Sequence, residues 1–190
     1  MGTTNTDNFA RVAATLGANW SQLTGLFSVN NGAIAGSNSV FNLAKYIASA
    51  FVLNQQISFT IGPSNADADQ LGVAFRITTT APGVYSYYFL DAVPSGLSLK
   101  KVVGATSVSN GTVTGLQNFL QTMNPGDVVT LCAFGPNLVV FINGVSNPAV
   151  INITDSTIAG EDLGVWVNFT GGGPVDEVAS WSGKIGRAHV

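Results

Sequence analysis

Charge is what this chain lacks most. Only 9% of its 190 residues are Asp, Glu, Lys or Arg, against about a quarter in ordinary globular domains. The seven basic residues are scattered, with Lys100-Lys101 the one adjacent pair, and the formal net charge is -3. Nucleic-acid binding needs a clustered basic footprint to neutralise phosphates, so no nucleic-acid partner is expected, and anionic membrane surfaces are disfavoured for the same reason. Cysteine is nearly absent as well. Cys132 stands alone, which excludes an intramolecular disulfide and a cysteine-based zinc site. It lies in the apolar run Val128–Phe134, where a single thiol reads as a small core hydrophobe. No apolar stretch approaches the ~20 residues of a membrane-spanning helix, so no membrane insertion is expected. The opening residues Met1-Gly2-Thr3-Thr4-Asn5-Thr6-Asp7 carry neither the basic nor the apolar segment of a secretory signal.

Helical periodicity is also scarce. Only Ala10–Leu16 and Thr114–Met123 read as a turn or two of helix. What the chain has instead is 46% hydrophobic residues, 22 glycines, and a polar complement of Asn, Ser, Thr and Gln. Short β-branched and aromatic runs alternate with turn signals, the pattern of an all-β sandwich. The clearest strands are Gln56–Ile61, Leu71–Ile77, Val84–Leu90, Leu97–Val103, Val128–Ala133, Leu138–Ile142 and Leu163–Asn168, with weaker ones at Leu26–Val29, Ala33–Ala35 and Val178–Trp181. Asn31-Gly32, Asn110-Gly111 and Asn143-Gly144 are hairpin signals, and Pro82-Gly83 and Pro125-Gly126 are tight-turn signals. The expected fold class is therefore all-β, an antiparallel two-sheet β-sandwich, in one soluble domain over residues 1–183. Residues 184–190 are set apart. Ile185-Gly186-Arg187-Ala188-His189-Val190 matches the translation of a common sequencing adapter and is read as a non-native tail. That reading takes the only histidine, His189, out of the natural domain.

Several motifs carry a resemblance. Asp7-Asn8-Phe9-Ala10-Arg11, Leu16-Gly17-Ala18-Asn19-Trp20 and Phe27-Ser28-Val29-Asn30-Asn31-Gly32 open the chain. Pro125-Gly126-Asp127 and Gly135-Pro136-Asn137-Leu138-Val139-Val140-Phe141-Ile142-Asn143-Gly144 follow, then Asp155-Ser156-Thr157, Gly160, Gly164 and Val175-Asp176. Their order, over roughly Asp7 to Trp181, resembles the concanavalin A-like lectin/glucanase superfamily, in its laminin G-like form. The resemblance implies a jelly roll of two curved antiparallel sheets. It implies no single activity, since such domains serve as lectins, glycan hydrolases, adhesion modules and virion proteins.

Catalysis is not expected. Glycan hydrolases of this kind carry Glu-x-Asp-x-x-Glu or a close variant on one strand, because two carboxylates must flank the glycosidic bond. The only glutamates here, Glu161 and Glu177, lack that spacing, and Asp67-Ala68-Asp69 falls in loop sequence. With no native histidine, a His-activated nucleophile is also excluded. No cofactor is expected beyond a structural calcium, for which Asp67, Asp69, Asp155 and Asp176 are the oxygen-ligand candidates; the resemblance points to Asp176, near the closing strand. For a ligand, the aromatic run Val84–Leu90 is the candidate surface. Alternation puts Tyr85, Tyr87 and Phe89 on one face and Tyr88 with Ser86 on the other. Whichever face lines a groove offers tyrosines to stack on sugar rings, with Arg76 and Asn137 as polar partners. Trp20, Trp166 and Trp181 are read as core. The function expected is a non-catalytic carbohydrate-binding or adhesion module; the alternative is a structural or appendage protein of a virion or surface assembly. The expected partners are then glycans, or other virion and surface proteins including further copies of this chain.

Overall fold

The computed structural model describes residues 4–9, 15–30, 33–36, 41–61, 70–93, 95–144, 148–168 and 178–185. Among these residues there is no helix. The strands are β1 (Thr4–Asp7), β2 (Trp20–Thr24), β3 (Phe27–Asn30), β4 (Ala33–Gly36), β5 (Asn42–Tyr46), β6 (Gln55–Ile61), β7 (Gln70–Ala81) and β8 (Val84–Val93), followed by β9 (Gly96–Ala105), β10 (Thr112–Leu120), β11 (Val128–Phe134), β12 (Asn137–Ile142), β13 (Ile151–Thr154), β14 (Asp162–Asn168) and β15 (Val178–Ile185). They form two antiparallel sheets. One has eight strands in the order β13-β12-β11-β6-β15-β4-β3, with β1 also paired to β15; the other has seven in the order β10-β9-β8-β7-β14-β5-β2. This is the two-sheet sandwich that the turn spacing predicts, and its topology is the concanavalin A-like jelly roll.

Period-two alternation builds the layers. In β6, Ile57, Phe59 and Ile61 are buried while Gln56, Ser58 and Thr60 are only half-buried. The inward side chains of both sheets form one apolar cluster. Its aromatic centre joins the two sheets. Trp181 on β15 stacks on Tyr46 of β5 at 4.9 Å, meets Trp20 of β2 edge-on at 5.0 Å, and touches Phe51 at 6.4 Å. The outward side of the eight-stranded sheet is hydroxyl-rich, with Ser58 bonded to Thr130 at 2.9 Å and Thr60 to Ser180 at 2.8 Å. Cys132 is buried as expected, though on that outward side, with Val139 and Phe141 rather than in the central core.

The turn chemistry forms where it is described. Gly126, after Pro125, takes φ 90, and Asn143-Gly144 take φ 57 and 116. These two turns meet at one end of the sandwich, where Asn143 Nδ2 donates to Asp127 Oδ1 at 2.9 Å and Asn143 Oδ1 accepts from Val128 N at 2.9 Å. Asn31-Gly32 lies outside the described residues.

One expectation is corrected. Residues 114–123 are not helical, since Thr112–Leu120 is strand β10, paired along β9. A bulge between Gly115 and Gln117 lets both Leu116 and Phe119 reach the core. Local helix propensity is a weak preference, and an available strand edge overrides it. The other expected helical turn lies mostly outside the described residues, and Thr15 and Leu16 at its end are not helical. The short strands β1, β2, β5 and β13 carried no run long enough to announce them. Strand β15 continues to Ile185, pairing Lys184 with Gln56 and Thr4, and Ile185 with Gln55. Such pairing uses backbone groups that any residue carries.

Gly72 shows how closely β7 and β8 approach. A Cβ built there would stand 1.8 Å from the Leu90 carbonyl oxygen. We expect Gly72→Ala to lower stability by about 2–4 kcal/mol, a fall of roughly 5–15 °C in melting temperature. Thermal unfolding followed by circular dichroism reads this directly, and an unchanged Tm would refute the close approach.

Candidate functional site

The structure gathers three of the sequence candidates, Arg76, Tyr88 and Asp155. The loop after β13 carries Asp155 to the middle of β8 and β9, where Tyr88 and Lys101 are paired. There Asp155 Oδ1 accepts from the Tyr88 hydroxyl, from Thr157 N at 2.8 Å and from Thr157 Oγ1 at 2.6 Å, while Oδ2 accepts from Lys101 Nζ at 3.0 Å. Lys101 also bonds Thr157 Oγ1 at 2.9 Å, and Ile158 N donates to the Tyr88 oxygen at 3.1 Å. Burial works to raise the Asp155 pKa, but the bonds from Thr157, Tyr88 and Lys101 outweigh it and hold the carboxyl well below the usual carboxylate range. Burial, with the neighbouring Asp155 carboxylate, pushes the Tyr88 phenol up.

Arg76 sits beside this network at a β7 bulge, with φ 50. Its backbone N–H donates to Gln55 Oε1 at 3.1 Å, its Nη2 donates to the Gly135 carbonyl, and its buried Nε has no partner. Burial lowers its pKa, offset by Tyr88 and Asp155. Arg76 and Tyr88 are 1% and 0% exposed, so these two side chains are enclosed in a polar clamp between loops and present no face on which a sugar ring could stack.

The remaining candidates are dispersed. Asn137 is exposed on β12, where Thr154 Oγ1 donates to it at 3.1 Å, and it makes no bond to the clamp. Tyr85 is half-buried at the start of β8. Tyr87 is wholly buried, and burial raises its phenol pKa strongly. Of the metal candidates, Asp155 is committed to Lys101, Tyr88 and Thr157, so a calcium ion there would have to displace an ammonium. Asp67, Asp69 and Asp176 lie outside the described residues. Among the described residues no three of His, Cys, Asp and Glu cluster as a metal site would require.

The outward face of the seven-stranded sheet is built differently. Alternation along β8 sends Tyr88, Leu90 and Ala92 into the core and Tyr87, Phe89 and Asp91 outward. Register then places Trp166, Gly72, Asp91, Ser98 and Asn118 in one row across β14, β7, β8, β9 and β10. The middle of this face is filled. Phe89 stacks on Trp166 at 4.3 Å, and the Phe41 ring covers both at 5.8 and 4.9 Å. Phe41 is pinned from the opposite side, its N–H donating to Asn110 Oδ1 at 2.7 Å. The Tyr87 hydroxyl and the Trp166 indole N–H are buried beneath without a hydrogen bond of normal geometry.

Toward the β10 edge the face opens into a depression of ≈ 330 Å³, lined by Val93, Ser98, Lys100, Gly115, Asn118 and Leu120. Gly115 leaves space there, with nothing within 4 Å of where its Cβ would be. Ser98 Oγ donates to Asn118 Oδ1 at 2.7 Å. Lys100 Nζ bonds Asp91 Oδ2 at 2.8 Å and lies 5.5 Å from the Phe89 ring centroid. Asp91 is 1% exposed, and its Oδ1 is buried without a partner. Burial raises the Asp91 pKa, and the bond from Lys100 only partly counters it. None of Asp91, Ser98, Lys100 or Asn118 was singled out from sequence. A signal was present, since Asp91 is a lone carboxylate in an otherwise apolar strand, two residues from Phe89. Register supplies the rest.

No protein-family model matches the chain, and no curated protein matches its sequence. Solved structures share its fold. The carbohydrate binding module CBM66 from Bacillus subtilis superposes with a TM-score of 0.58 at 12% identity, covering 90% of this chain and 95% of that one. The VIP36 exoplasmic/lumenal domain bound to Ca2+ and Man3GlcNAc gives 0.58 at 11% identity, over 90% and 85%. A prokaryotic beta-1,3-1,4-glucanase (lichenase) derived from a mouse hindgut metagenome gives 0.59 at 7% identity, over 96% and 99%. These likenesses establish the fold.

The Lys101–Asp155 pair, half-buried, and the Lys100–Asp91 pair, with its carboxylate buried, make opposite contributions. The Asp155 pKa is depressed below its unfolded value of about 3.9, so its stabilisation is present at neutral pH and lost as pH falls below about 4. The Asp91 pKa is raised, so its ionisation costs stability as pH rises from about 4 through its folded value. We expect Asp155→Asn to cost about 1–3 kcal/mol at pH 7, with the gap to wild type closing toward pH 3. Asp91→Asn should melt at or above wild type at pH 7. Thermal unfolding of both variants from pH 3 to 7 tests this; an Asp91→Asn protein as weakened as Asp155→Asn would contradict it.

Proposed function

We propose that this chain is a carbohydrate-binding module that does not catalyse, and that its site is the depression beside β10. The observation that carries the reading is the polar lining of that depression. Ser98, Lys100 and Asn118 stand on a rigid sheet next to the apolar edges of Val93 and Leu120. Sugar rings ask for this mixture, because they present hydroxyls around the rim and C–H groups on the faces. The fold is shared with a carbohydrate binding module and with the VIP36 exoplasmic/lumenal domain solved with Ca2+ and Man3GlcNAc.

The non-catalytic part of the reading rests on carboxylate count. Asp91 is the only carboxylate in the central row of this face, and glycoside hydrolysis takes two, about 5–9.5 Å apart. Asp162 is held by Lys45 at 2.7 Å and stands four residues along β14 from Trp166, ~13 Å of strand.

A second reading, a structural or appendage role in a virion or surface assembly, is favoured by the surface itself. Few charges cover it, and Val108, Leu120 and Leu26 are 84%, 84% and 60% exposed. A surface with so little charge offers little like-charge repulsion to contact with further copies. A monomer by light scattering at high concentration would count against this reading.

For the first reading, the measurement is a glycan array followed by calorimetric titration of the best binder. Replacing both Lys100 and Asn118 by Ala should weaken that sugar at least tenfold, the loss of two or three hydrogen bonds of about 1 kcal/mol each. Asn137→Ala should leave affinity unchanged. Binding that survives the Lys100/Asn118 double change would move the site elsewhere.

A further inference from the structure

The reading of the depression as a sugar site leaves open which sugars it takes, and its charge and its closed side bear on that. Three features decide the ligand class. First, the only cation lining the depression, Lys100, is already neutralised. Its Nζ lies 2.8 Å from Asp91 Oδ2, and the Asp91 carboxylate is 1% exposed. The ammonium keeps two further N–H donors. The pair therefore brings hydrogen-bonding capacity without net charge. Second, the other polar groups are complementary to hydroxyls. Asn118 donates through Nδ2, since its Oδ1 already accepts from Ser98 at 2.7 Å, and the Ser98 oxygen remains an acceptor. Behind them lies Asp91 Oδ1, a buried acceptor with no partner. An incoming carboxylate or sulfate would meet this second negative charge in a setting where burial already disfavours it. A hydroxyl can donate to the acceptors and accept from Lys100 at once.

Third, the depression is closed on one side. Toward the sheet centre stand Phe89 and Trp166, 1% and 0% exposed beneath Phe41. A polysaccharide cannot run across the strands from β10 to β5 without displacing the Phe41 ring and its bond to Asn110. The accessible volume of ≈ 330 Å³ is at the lower end for small-ligand sites.

We propose, on the carbohydrate reading above, that this site binds the terminal one or two units of a neutral glycan, and that it selects against uronic and other acidic sugars through the buried Asp91. Lys100, Asn118 and Ser98 make the contacts. Asp91 acts through Lys100 as a positioning and charge-setting residue.

The test uses the full chain and begins from the glycan array. Wild type and Asp91→Asn are then titrated with maltose, cellobiose, maltohexaose, cellohexaose, the array's best neutral binder, and sodium glucuronate. In wild type, the preferred disaccharide should bind within about threefold of its hexamer, and glucuronate should be at least tenfold weaker. Asp91→Asn leaves the lysine charge uncompensated, so the neutral-to-acidic preference should shrink tenfold or more. A merely structural role for Asp91 would weaken all sugars alike and leave the ratio unmoved. A hexamer binding ten times tighter than its dimer, a wild-type preference for glucuronate, or an unmoved ratio in Asp91→Asn would each overturn this inference while leaving a glycan-binding module in place. Absence of any binder on the array would overturn the carbohydrate reading and this inference with it.

Discussion

Strand β8 is buried on both faces, and the rest of the molecule is arranged around that constraint. Seven consecutive residues, from Ser86 to Ala92, are buried. Tyr88, Leu90 and Ala92 fill the space between the sheets, while Tyr87 and Phe89 need a second apolar cover on the other side. Phe41 and Trp166 provide it. Most antiparallel sandwiches leave the outward face of a sheet to water. Here the centre of that face is packed among the described residues, and the depression lies toward an edge. The edge available is β10, where Gly115 and the bulge beside it loosen the packing.

So few charges are present that each one placed inside has a visible task. Lys101–Asp155 ties the loop after β13 to β9 and is surrounded by hydroxyls that stabilise the ionised form. Lys100–Asp91, one residue along β9, has no such support, and one carboxylate oxygen is left over. A pair of this second kind is hard to justify by stability, because a buried ion pair gains little over an apolar replacement. On the proposed carbohydrate-binding reading, its position beside the depression lets it supply polar groups to a ligand without adding net charge. The adjacent lysines illustrate the sheet's geometry. Lys101 points toward the clamp and Lys100 toward the opposite face, so neighbouring residues with the same side chain serve unrelated structures.

Proteins with 7–12% identity to this chain share its fold because the fold needs a burial pattern and not particular residues. The candidate site does need particular residues, and those are set by how the outward face is finished. The Phe41 cover and the indole of Trp166 occupy the middle of the sheet here. That leaves the depression toward the β10 edge beside a filled centre.

The sequence by itself determined the layers. Alternation predicted most of the long strands, the Pro-Gly and Asn-Gly pairs within the described residues predicted turns that form, and Trp20, Trp166 and Trp181 were correctly read as buried. It also separated the two faces of β8, since a period of two is a property of the strand alone. Which face was open lay beyond it. Tyr87 looked like a sugar platform and is buried, because it packs in a second apolar cluster with Phe89 and Trp166, which Phe41, 46 positions earlier in the chain, covers in turn. The stretch from Thr114 read as helix and became β10, because β9 offered it a partner. Asp91, Ser98 and Asn118 lie on three strands and meet only through register. Register is decided by hydrogen bonds between distant segments and by the fit of the whole core. Tertiary structure therefore decided the site, while local sequence had decided only what each strand would hold out to either side.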